Sequence, residues 1–265
     1  MTQDLKEKRR KIVVANFKMN LILKFEVETW IKEFKYIYKR YNLSETNLVL
    51  MPPILFVLEF LKSFQREAEV TIGLQDAFWK RKGAFTGGVS ASTLKSYGGD
   101  YVILGHSERK AYFDESEEVV ARKIKNVTET GLQGIVCVGE TAEEKEKELT
   151  KESLLRQLEI YFTDFPTERL NKILICYEPV WAISANKPTA PPTVNEIMTA
   201  KLIIKKFLAQ RFGTDKAKEI KVLYGGSVDK YKVKEICSEA DLDGVLVGKA
   251  SLSPVELLSI VERME

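Results

Sequence analysis

The feature of this 265-residue chain that most restricts its fold is an alternation of short apolar runs with longer segments of helical periodicity. Each run is apolar along its whole length, which is typical of parallel strands that are buried on both faces. The eight runs cover residues 12–15, 47–51, 70–74, 101–104, 134–138, 173–177, 221–224 and 244–247. The chain is therefore expected to build a parallel sheet whose strands are connected by helices.

The segments between the runs carry the signals of helices. In the first of them, Val27, Trp30 and Phe34 recur at steps of three and four residues, as on one face of a helix. Thr141 followed by Glu144 predicts a capping box, in which each residue's side chain bonds the other's backbone N–H at a helix start. Helices thus follow the apolar runs along the chain.

Eight strand–helix units in about 250 residues predict an α/β fold, a closed (β/α)8 barrel. We expect a single domain over residues 1–265, with residues 1–10 as a charged N-terminal extension. The alternative is an open, doubly wound sheet, which usually has fewer strands and a Gly-x-Gly-x-x-Gly motif after the first one. Here the first run is followed by Asn-Phe-Lys-Met-Asn at 16–20, so this dinucleotide motif is absent there.

Composition excludes several classes of protein. Apolar residues make up 45% of the chain, too many for a chain that is mainly disordered. The net charge of +3 is a small difference between 41 basic and 38 acidic residues, which argues against nucleic-acid binding as the main role. No apolar run approaches the roughly 20 residues that span a bilayer, and the charged N-terminus does not resemble a signal peptide. We expect a cytoplasmic protein that does not bind membranes.

The three cysteines, Cys137, Cys176 and Cys237, form no Cys-x-x-Cys motif. Their odd number disfavours a disulfide framework, and their spacing disfavours a zinc site. The chain also contains a single histidine, His106. Any imidazole chemistry must therefore take place at that residue.

Polar residues follow several of the predicted strands. In (β/α)8 barrels the active site lies at the C-terminal ends of the strands, where such side chains converge. Glycine-rich turns after the seventh and eighth strands of such barrels hold phosphate on backbone N–H groups. The polar and glycine residues at these positions include Asn16, Lys18, Gln75, Asp76, His106, Ser107, Glu108, Glu140, Glu178, Gly226, Ser227, Gly248 and Lys249.

Seven segments together resemble the triosephosphate isomerase family, in the family's order and over nearly the whole chain. Those around the histidine and around Glu178 are highly specific. The segments are ANFKMN (15–20), GAFTG (83–87), ILGHSER (103–109), VGET (138–141), YEPVWAI (177–183), YGGSV (224–228) and DGVLVG (243–248). The resemblance implies interconversion of dihydroxyacetone phosphate and glyceraldehyde 3-phosphate, in glycolysis and gluconeogenesis, without a cofactor or metal.

The resemblance also implies the roles of the catalytic residues. Glu178 would be the base that moves a proton between the two carbons. His106 would be a neutral electrophile that bonds the carbonyl oxygen and helps to form the enediol or enediolate. Asn16 and Lys18 would contact the substrate, with Lys18 countering its negative charge.

Further residues would support the site or bind the phosphate group. By the same resemblance, Ser107 and Glu108 support the catalytic residues. Ser227 and Gly248 would hold the phosphate, and Ser184 would offer it a backbone N–H. The segment 179–192 is the candidate lid that closes over the intermediate.

The chain departs from the family pattern in three places. The lid tip reads Ser-Ala-Asn-Lys at 184–187 instead of Gly-Thr-Gly-Lys. Lys249 replaces the second glycine of the phosphate turn, so its ammonium either adds positive potential at the site or points to solvent. Gly88 replaces a glutamate, which is expected to leave Arg109 without its usual acidic partner.

The segment 75–89 is long for a strand–helix connection and carries Phe78, Trp79 and Phe85. In the family that the chain resembles, this loop inserts into a second subunit, with Thr86 reaching the neighbour's site. Aromatic side chains on an exposed loop also favour an interface. We therefore expect a homodimer, while a loop folded on its own surface is the alternative.

Two other functions are compatible with parts of the pattern. Another phosphate-binding barrel enzyme, such as a sugar-phosphate isomerase of amino-acid biosynthesis, would share the glycine turns but would not need the other motifs. A catalytically impaired barrel that only binds phosphosugars would explain the altered lid. The presence of Glu178, His106, Lys18 and Asn16 favours the active isomerase.

Overall fold

The computed structural model describes residues 10–41, 43–183 and 191–264 of the chain. In these ranges eight parallel strands pair in sequence order, and the eighth pairs with the first, which closes the sheet into a barrel. The strands are β1 (Lys11–Asn16), β2 (Thr46–Met51), β3 (Val70–Leu74), β4 (Tyr101–Leu104), β5 (Gln133–Val138), β6 (Ile173–Tyr177), β7 (Lys221–Gly225) and β8 (Gly244–Val247). The predicted single-domain (β/α)8 barrel is confirmed, while most of the proposed N-terminal extension lies outside the described residues.

Helices connect the strands and surround the barrel, as the periodicity indicates. In the described residues the α-helices are α1 (Lys24–Tyr38), α2 (Val57–Phe64), α3 (Ala91–Ser96), α4 (Ser107–Tyr112), α5 (Glu117–Glu129), α6 (Ala142–Glu146), α7 (Thr150–Tyr161), α8 (Val194–Phe212), α9 (Thr214–Glu219), α10 (Val233–Glu239) and α11 (Pro254–Met264). Short 3-10 turns precede α2 and β6 and follow β6 and β8.

The strands are apolar along their length because both of their faces are buried. Alternate side chains, such as Val14, Ile103 and Cys176, fill the centre of the barrel. Their neighbours, such as Val13 and Leu104, pack outwards against the helices. Every predicted run lies inside a strand, and no bound differs by more than one residue.

The predicted helix signals are also present. Trp30 on the buried face of α1 packs against Phe17 and Phe34, with both ring centroids 5.0 Å away. The Thr141 hydroxyl accepts the N–H of Glu144 at 3.2 Å, and the Glu144 carboxylate accepts the N–H of Thr141 at 2.8 Å. This capping box fixes the start of α6 just beyond the end of β5.

All three cysteines are buried free thiols. In the described ranges, no group of three or more histidine, cysteine, aspartate and glutamate residues could hold a metal ion. None of the helices in the described ranges is both long and apolar enough to cross a membrane.

Candidate active site

A cavity of about 690 Å³, here called the mouth cavity, opens at the C-terminal end of the barrel. Residues that follow five different strands meet there, at the end of the barrel where the strand-end rule expects a site. The predicted site residues that line it are Lys18, His106, Glu178, Ser227, Gly248 and Lys249.

Other predicted site residues do not line the mouth cavity. Asn16, Ser107 and Glu108 lie behind the lining residues and contact them. Thr86 is exposed on the β3–α3 connection and lines a different cavity. Ser184, like half of the candidate lid (184–190), lies outside the described residues, whereas Ile183 is buried and lines the mouth cavity.

The closest contact between two candidate catalytic groups joins His106 and Glu178. Nε2 of His106 lies 2.9 Å from Oε1 of Glu178, and both side chains are about 5% exposed or less. The Nδ1 atom of His106 accepts the backbone N–H of Glu108 at 3.2 Å, so the proton of the neutral imidazole is on Nε2. The neutral imidazole therefore presents a hydrogen-bond donor toward Glu178 and the mouth cavity.

The pKa of His106 reflects opposing effects. Burial lowers this pKa, but the carboxylates of Glu178 and, to a smaller extent, Glu108 raise it, and the net result is a raised pKa. The raising effect depends chiefly on the contact with Glu178. Any change that separates the two groups would leave burial to dominate and lower the pKa of His106.

Glu178 is held as an ionised carboxylate. Burial raises the pKa of Glu178. His106, the backbone N–H of Ser107 and Lys18 together lower it by more than burial raises it, so the pKa is below its usual value. The Ser107 N–H donates to Oε2 at 3.1 Å. A Cβ on Gly139 would lie 1.9 Å from the Glu178 carbonyl oxygen, so only glycine at the end of β5 allows this close packing. The carboxylate is thus fixed in position and available as a base.

Lys18 supplies the positive charge beside this pair. Its ammonium group lies 2.7 Å from Oε1 of Glu108, and its side chain is 25% exposed. The backbone of Lys18 has a φ of 52°, in the left-handed region that non-glycine residues seldom adopt. Two hydrogen bonds hold it there, because Asn16 Oδ1 accepts the Lys18 N–H at 3.0 Å and Gln75 donates to the Lys18 carbonyl at 2.9 Å. Backbone strain of this kind is typical of functional sites.

The opposite side of the mouth cavity is formed by the turns after β7 and β8. Gly248 precedes a 3-10 turn over Lys249–Leu252, and Lys249 is exposed. A Cβ on Gly248 would lie 3.1 Å from Cε of Lys18, so a larger residue would press on the lysine side chain. Glycine at this position therefore keeps the turn after β8 and Lys18 close together.

Glu140 is a buried carboxylate for which the sequence predicted no role. It accepts hydrogen bonds from the Tyr177 hydroxyl at 3.0 Å and from Trp181 Nε1 at 2.8 Å. Both donors flank Glu178 in the chain. Glu140 therefore fixes the backbone on each side of the candidate base without lining the mouth cavity.

Arg109 has two acidic partners besides the acid that Gly88 replaces. Its guanidinium lies 3.1 Å from Asp76 Oδ2 and 3.1 Å from Glu115 Oε1. Lys123 contacts the same two carboxylates and completes a partly buried cluster of four charges. Asp76 and Glu115 thus pair with Arg109 inside the chain, so the change at Gly88 does not leave the guanidinium uncompensated.

Comparison with known proteins agrees with this geometry. The family model described as triosephosphate isomerase matches residues 11–264. A triosephosphate isomerase of Dictyoglomus thermophilum is 37% identical over 254 residues, covering 96% of this chain and 99% of the relative. Those of Dictyoglomus turgidum and Alkaliphilus oremlandii are 38% and 35% identical over 253 residues, with the same two coverages.

These matches span every strand of the barrel and every described residue of the candidate site. The chain therefore belongs to the triosephosphate isomerase family, and its reaction is the interconversion of dihydroxyacetone phosphate and glyceraldehyde 3-phosphate in glycolysis.

Proposed function

We propose that Glu178 is the base of this isomerisation and that His106 and Lys18 stabilise the charge that develops on the substrate. The observation that carries the proposal is the 2.9 Å contact between Glu178 and His106 at the wall of the mouth cavity. Removal of a proton next to a carbonyl group needs a base and a donor for the developing oxyanion. The buried carboxylate and the Nε2–H group supply these two functions side by side.

The reaction takes two proton transfers at carbon and one from the hydroxyl oxygen of the substrate to its former carbonyl oxygen, which exchanges the positions of the two groups. The Glu178 carboxylate removes a proton from the carbon beside the carbonyl group. In the free chain the His106 N–H donates a hydrogen bond to Glu178, and in the reaction it donates to the substrate oxygen instead. The resulting enediol or enediolate is reprotonated on the neighbouring carbon by the same carboxyl group. No redox partner is needed, because the hydrogen removed from one carbon is replaced on the other.

Lys18 and the turns after β7 and β8 hold the anionic substrate. The Lys18 ammonium adds positive potential to a cavity from which much of the water is excluded, where a charge acts more strongly than in bulk water. We assign the phosphate group to Ser227 and the Gly248 turn, on the opposite side of the mouth cavity. Asn16 acts by fixing the Lys18 backbone, through its 3.0 Å hydrogen bond.

The single histidine offers a direct test of the His106–Glu178 pair. In the Glu178→Gln variant we expect the pKa of His106 to be lower than in the parent chain, because burial lowers this pKa and the principal group that raises it is removed. An NMR titration can follow His106 without ambiguity, since the chain has no other histidine. Equal pKa values in the two proteins would contradict the proposed pairing.

We further propose that the chain forms a homodimer through the end of the barrel that carries the β3–α3 connection. Met19, Leu55, Tyr112 and Phe113 are between 65% and 89% exposed, which is unusual for such large apolar residues. The ring of Phe78 stacks on that of Trp79 and packs at a tilt against that of Phe85, with centroids 3.9 and 4.6 Å away. Residues 81–88 nevertheless remain exposed, so the loop presents its tip, including Thr86, to a partner.

Light scattering tests the assembly. We expect a particle of about twice the chain mass of 30.2 kDa at micromolar concentration, since burial of this apolar surface stabilises association. A Thr86→Arg variant should shift the population toward the single chain, because it places a charge at the tip of the loop. A particle of one chain mass in the parent protein would contradict the proposed dimer.

Lys249 is proposed to add positive potential at the mouth cavity. The Lys249→Gly variant should raise KM for glyceraldehyde 3-phosphate, and more so at low salt, because salt screens an exposed charge. The effect should be about 1 kcal/mol or less, as for other solvated ion pairs. The Lys249→Arg variant keeps the charge and serves as the control. An unchanged KM at about 10 mM ionic strength, where the Debye length is about 30 Å, would show that the ammonium points to solvent.

A further inference from the structure

A second cavity, of about 300 Å³, lies behind the candidate base. We call it the rear cavity, and its polar lining includes Ser107, Lys110, Thr141, Gln157 and Glu178. Among the described residues, Glu178 is the only one that lines both this cavity and the mouth cavity. Glu178 therefore lies between the mouth cavity and a second cavity on its other side.

The rear cavity reaches the protein surface at its outer end. The Arg156 side chain there is 50% exposed and forms ion pairs with Glu117 and Glu144. All three of these residues line the cavity. At the inner end, Ser107 and Glu178 are buried. The lining of the cavity thus extends from exposed residues to the buried residue Glu178.

Two hydroxyl groups near the inner end have no protein partner among the described residues. They are Ser107 Oγ, which belongs to a lining residue, and Tyr161 Oη, which lies next to Gly105 on the cavity wall. Buried polar groups of this kind take ordered water as their partner, because a buried hydroxyl without a hydrogen bond is costly. The inner end of the rear cavity is therefore suited to hold water beside Glu178.

Lys110 adds a further set of donors to the same cavity. Its Nζ atom lies 3.5 Å from Gln157 Oε1, a long contact, and forms no ion pair with a carboxylate among the described residues. Gln157 itself is held by two hydrogen bonds to the backbone of Gly139, at 3.0 and 2.8 Å. Burial also lowers the pKa of Lys110 below its usual value.

We propose that the rear cavity holds a chain of water molecules through which the protonated Glu178 exchanges its proton with solvent while the substrate occupies the mouth cavity. This inference rests on the proposed role of Glu178 as the base. In D2O the step is a balanced exchange, in which the carboxylic acid and D2O give the deuterated acid and HOD. Lys110 is a positioning residue for this water chain and does not touch the substrate.

Isotope partitioning in D2O tests the proposal. The parent chain converts dihydroxyacetone phosphate in D2O, and excess glyceraldehyde-3-phosphate dehydrogenase with NAD traps the product before it can return. Carbon 2 of the trapped product carries hydrogen if Glu178 transferred the original proton and deuterium if exchange came first. The deuterated fraction, read by mass spectrometry, therefore measures exchange relative to reprotonation.

Two variants alter the rear cavity without changing the mouth cavity. Lys110→Met removes the ammonium donors and keeps the length of the side chain. Ala111→Phe fills the outer part of the cavity from an exposed position that lines it. Each variant should lower the deuterated fraction by about threefold or more, the scale of losing a water-mediated hydrogen bond. Lys95→Met, an exposed lysine on α3, is the matched control and should leave the fraction unchanged.

The outcomes separate this inference from the function on which it rests. Conversion with an unchanged deuterated fraction in both variants would overturn the rear-cavity pathway and leave the isomerase mechanism intact. Failure of the parent chain to convert the substrate would overturn both. A merely structural role of Lys110 would lower kcat without changing the fraction, which would also reject the pathway.

Discussion

The Glu178→Gln variant will isomerise triose phosphate at least about 100-fold more slowly than the parent chain, because a positioned general base contributes at least that factor. Glutamine has nearly the shape of glutamate, and its amide oxygen can still accept the 3.1 Å hydrogen bond from the Ser107 N–H. The fold should therefore survive, as a thermal unfolding curve would show. The loss should appear in kcat, since the base acts on bound substrate.

Glu69→Gln provides the matched control. Glu69 accepts a hydrogen bond from the Tyr38 hydroxyl at 2.9 Å and immediately precedes β3, at the end of the barrel remote from the mouth cavity. The same chemical change there should leave kcat within about twofold of the parent value, as for most surface substitutions. Near-parental turnover in Glu178→Gln would show that the base has been assigned to the wrong residue.

The Lys18→Met variant should lose at least about 100-fold in kcat/KM, the lower end of what one preorganised donor contributes in a site that excludes water. Methionine keeps much of the side-chain length and removes only the charged end. The Glu108 carboxylate, which lies 2.7 Å from the Lys18 ammonium, would also lose its ion-pair partner. The negative potential left at the mouth cavity would then repel the phosphate substrate.

Lys249→Met separates this local effect from a general loss of positive charge. Lys249 lines the same cavity but is exposed, so its removal should change kcat/KM by no more than about fivefold. Initial rates of both variants at one ionic strength make the comparison. Equal losses in the two variants would mean that Lys18 acts only through overall charge, contrary to the role proposed for it.

The fold could be predicted closely because the central strands of a barrel are buried on both faces. That burial produces continuous apolar runs, and their number and spacing are those of eight strand–helix units. Some strand residues lie outside the predicted apolar runs. Examples are Lys11, Thr46 and Gln133, which are polar or charged and stand at strand ends. They pair through their backbones, so their side chains carry no apolar signal.

The candidate site could be predicted as a set of residues but not as a set of contacts. The strand-end rule indicates which side chains lie at the mouth, whereas the 2.9 Å pairing of His106 with Glu178 depends on how the residue before α4 meets the residue after β6. The left-handed backbone of Lys18 opposes the usual preference of lysine and is held by residues of β1 and the β3–α3 connection. Long-range contacts of this kind leave no local pattern in the sequence.

The cluster around Arg109 shows the same limit. Comparison of motifs identifies a missing acid at Gly88 but does not show that Asp76 and Glu115, from two other elements, surround the guanidinium. The rear cavity was likewise not visible in the sequence. Its lining comes from separate elements, and of its residues only Glu178 was predicted to be catalytic and Ser107 to support the site.

The most direct test of the central claim is the initial rate at which the purified chain converts glyceraldehyde 3-phosphate, followed through reduction of the dihydroxyacetone phosphate formed in a coupled assay. We predict conversion with a kcat of at least about 10 per second, the typical value for enzymes, and loss of that rate in Glu178→Gln. A catalytically impaired barrel that only binds phosphosugars would give a different result. A parent chain no faster than its own Glu178→Gln variant would contradict the account.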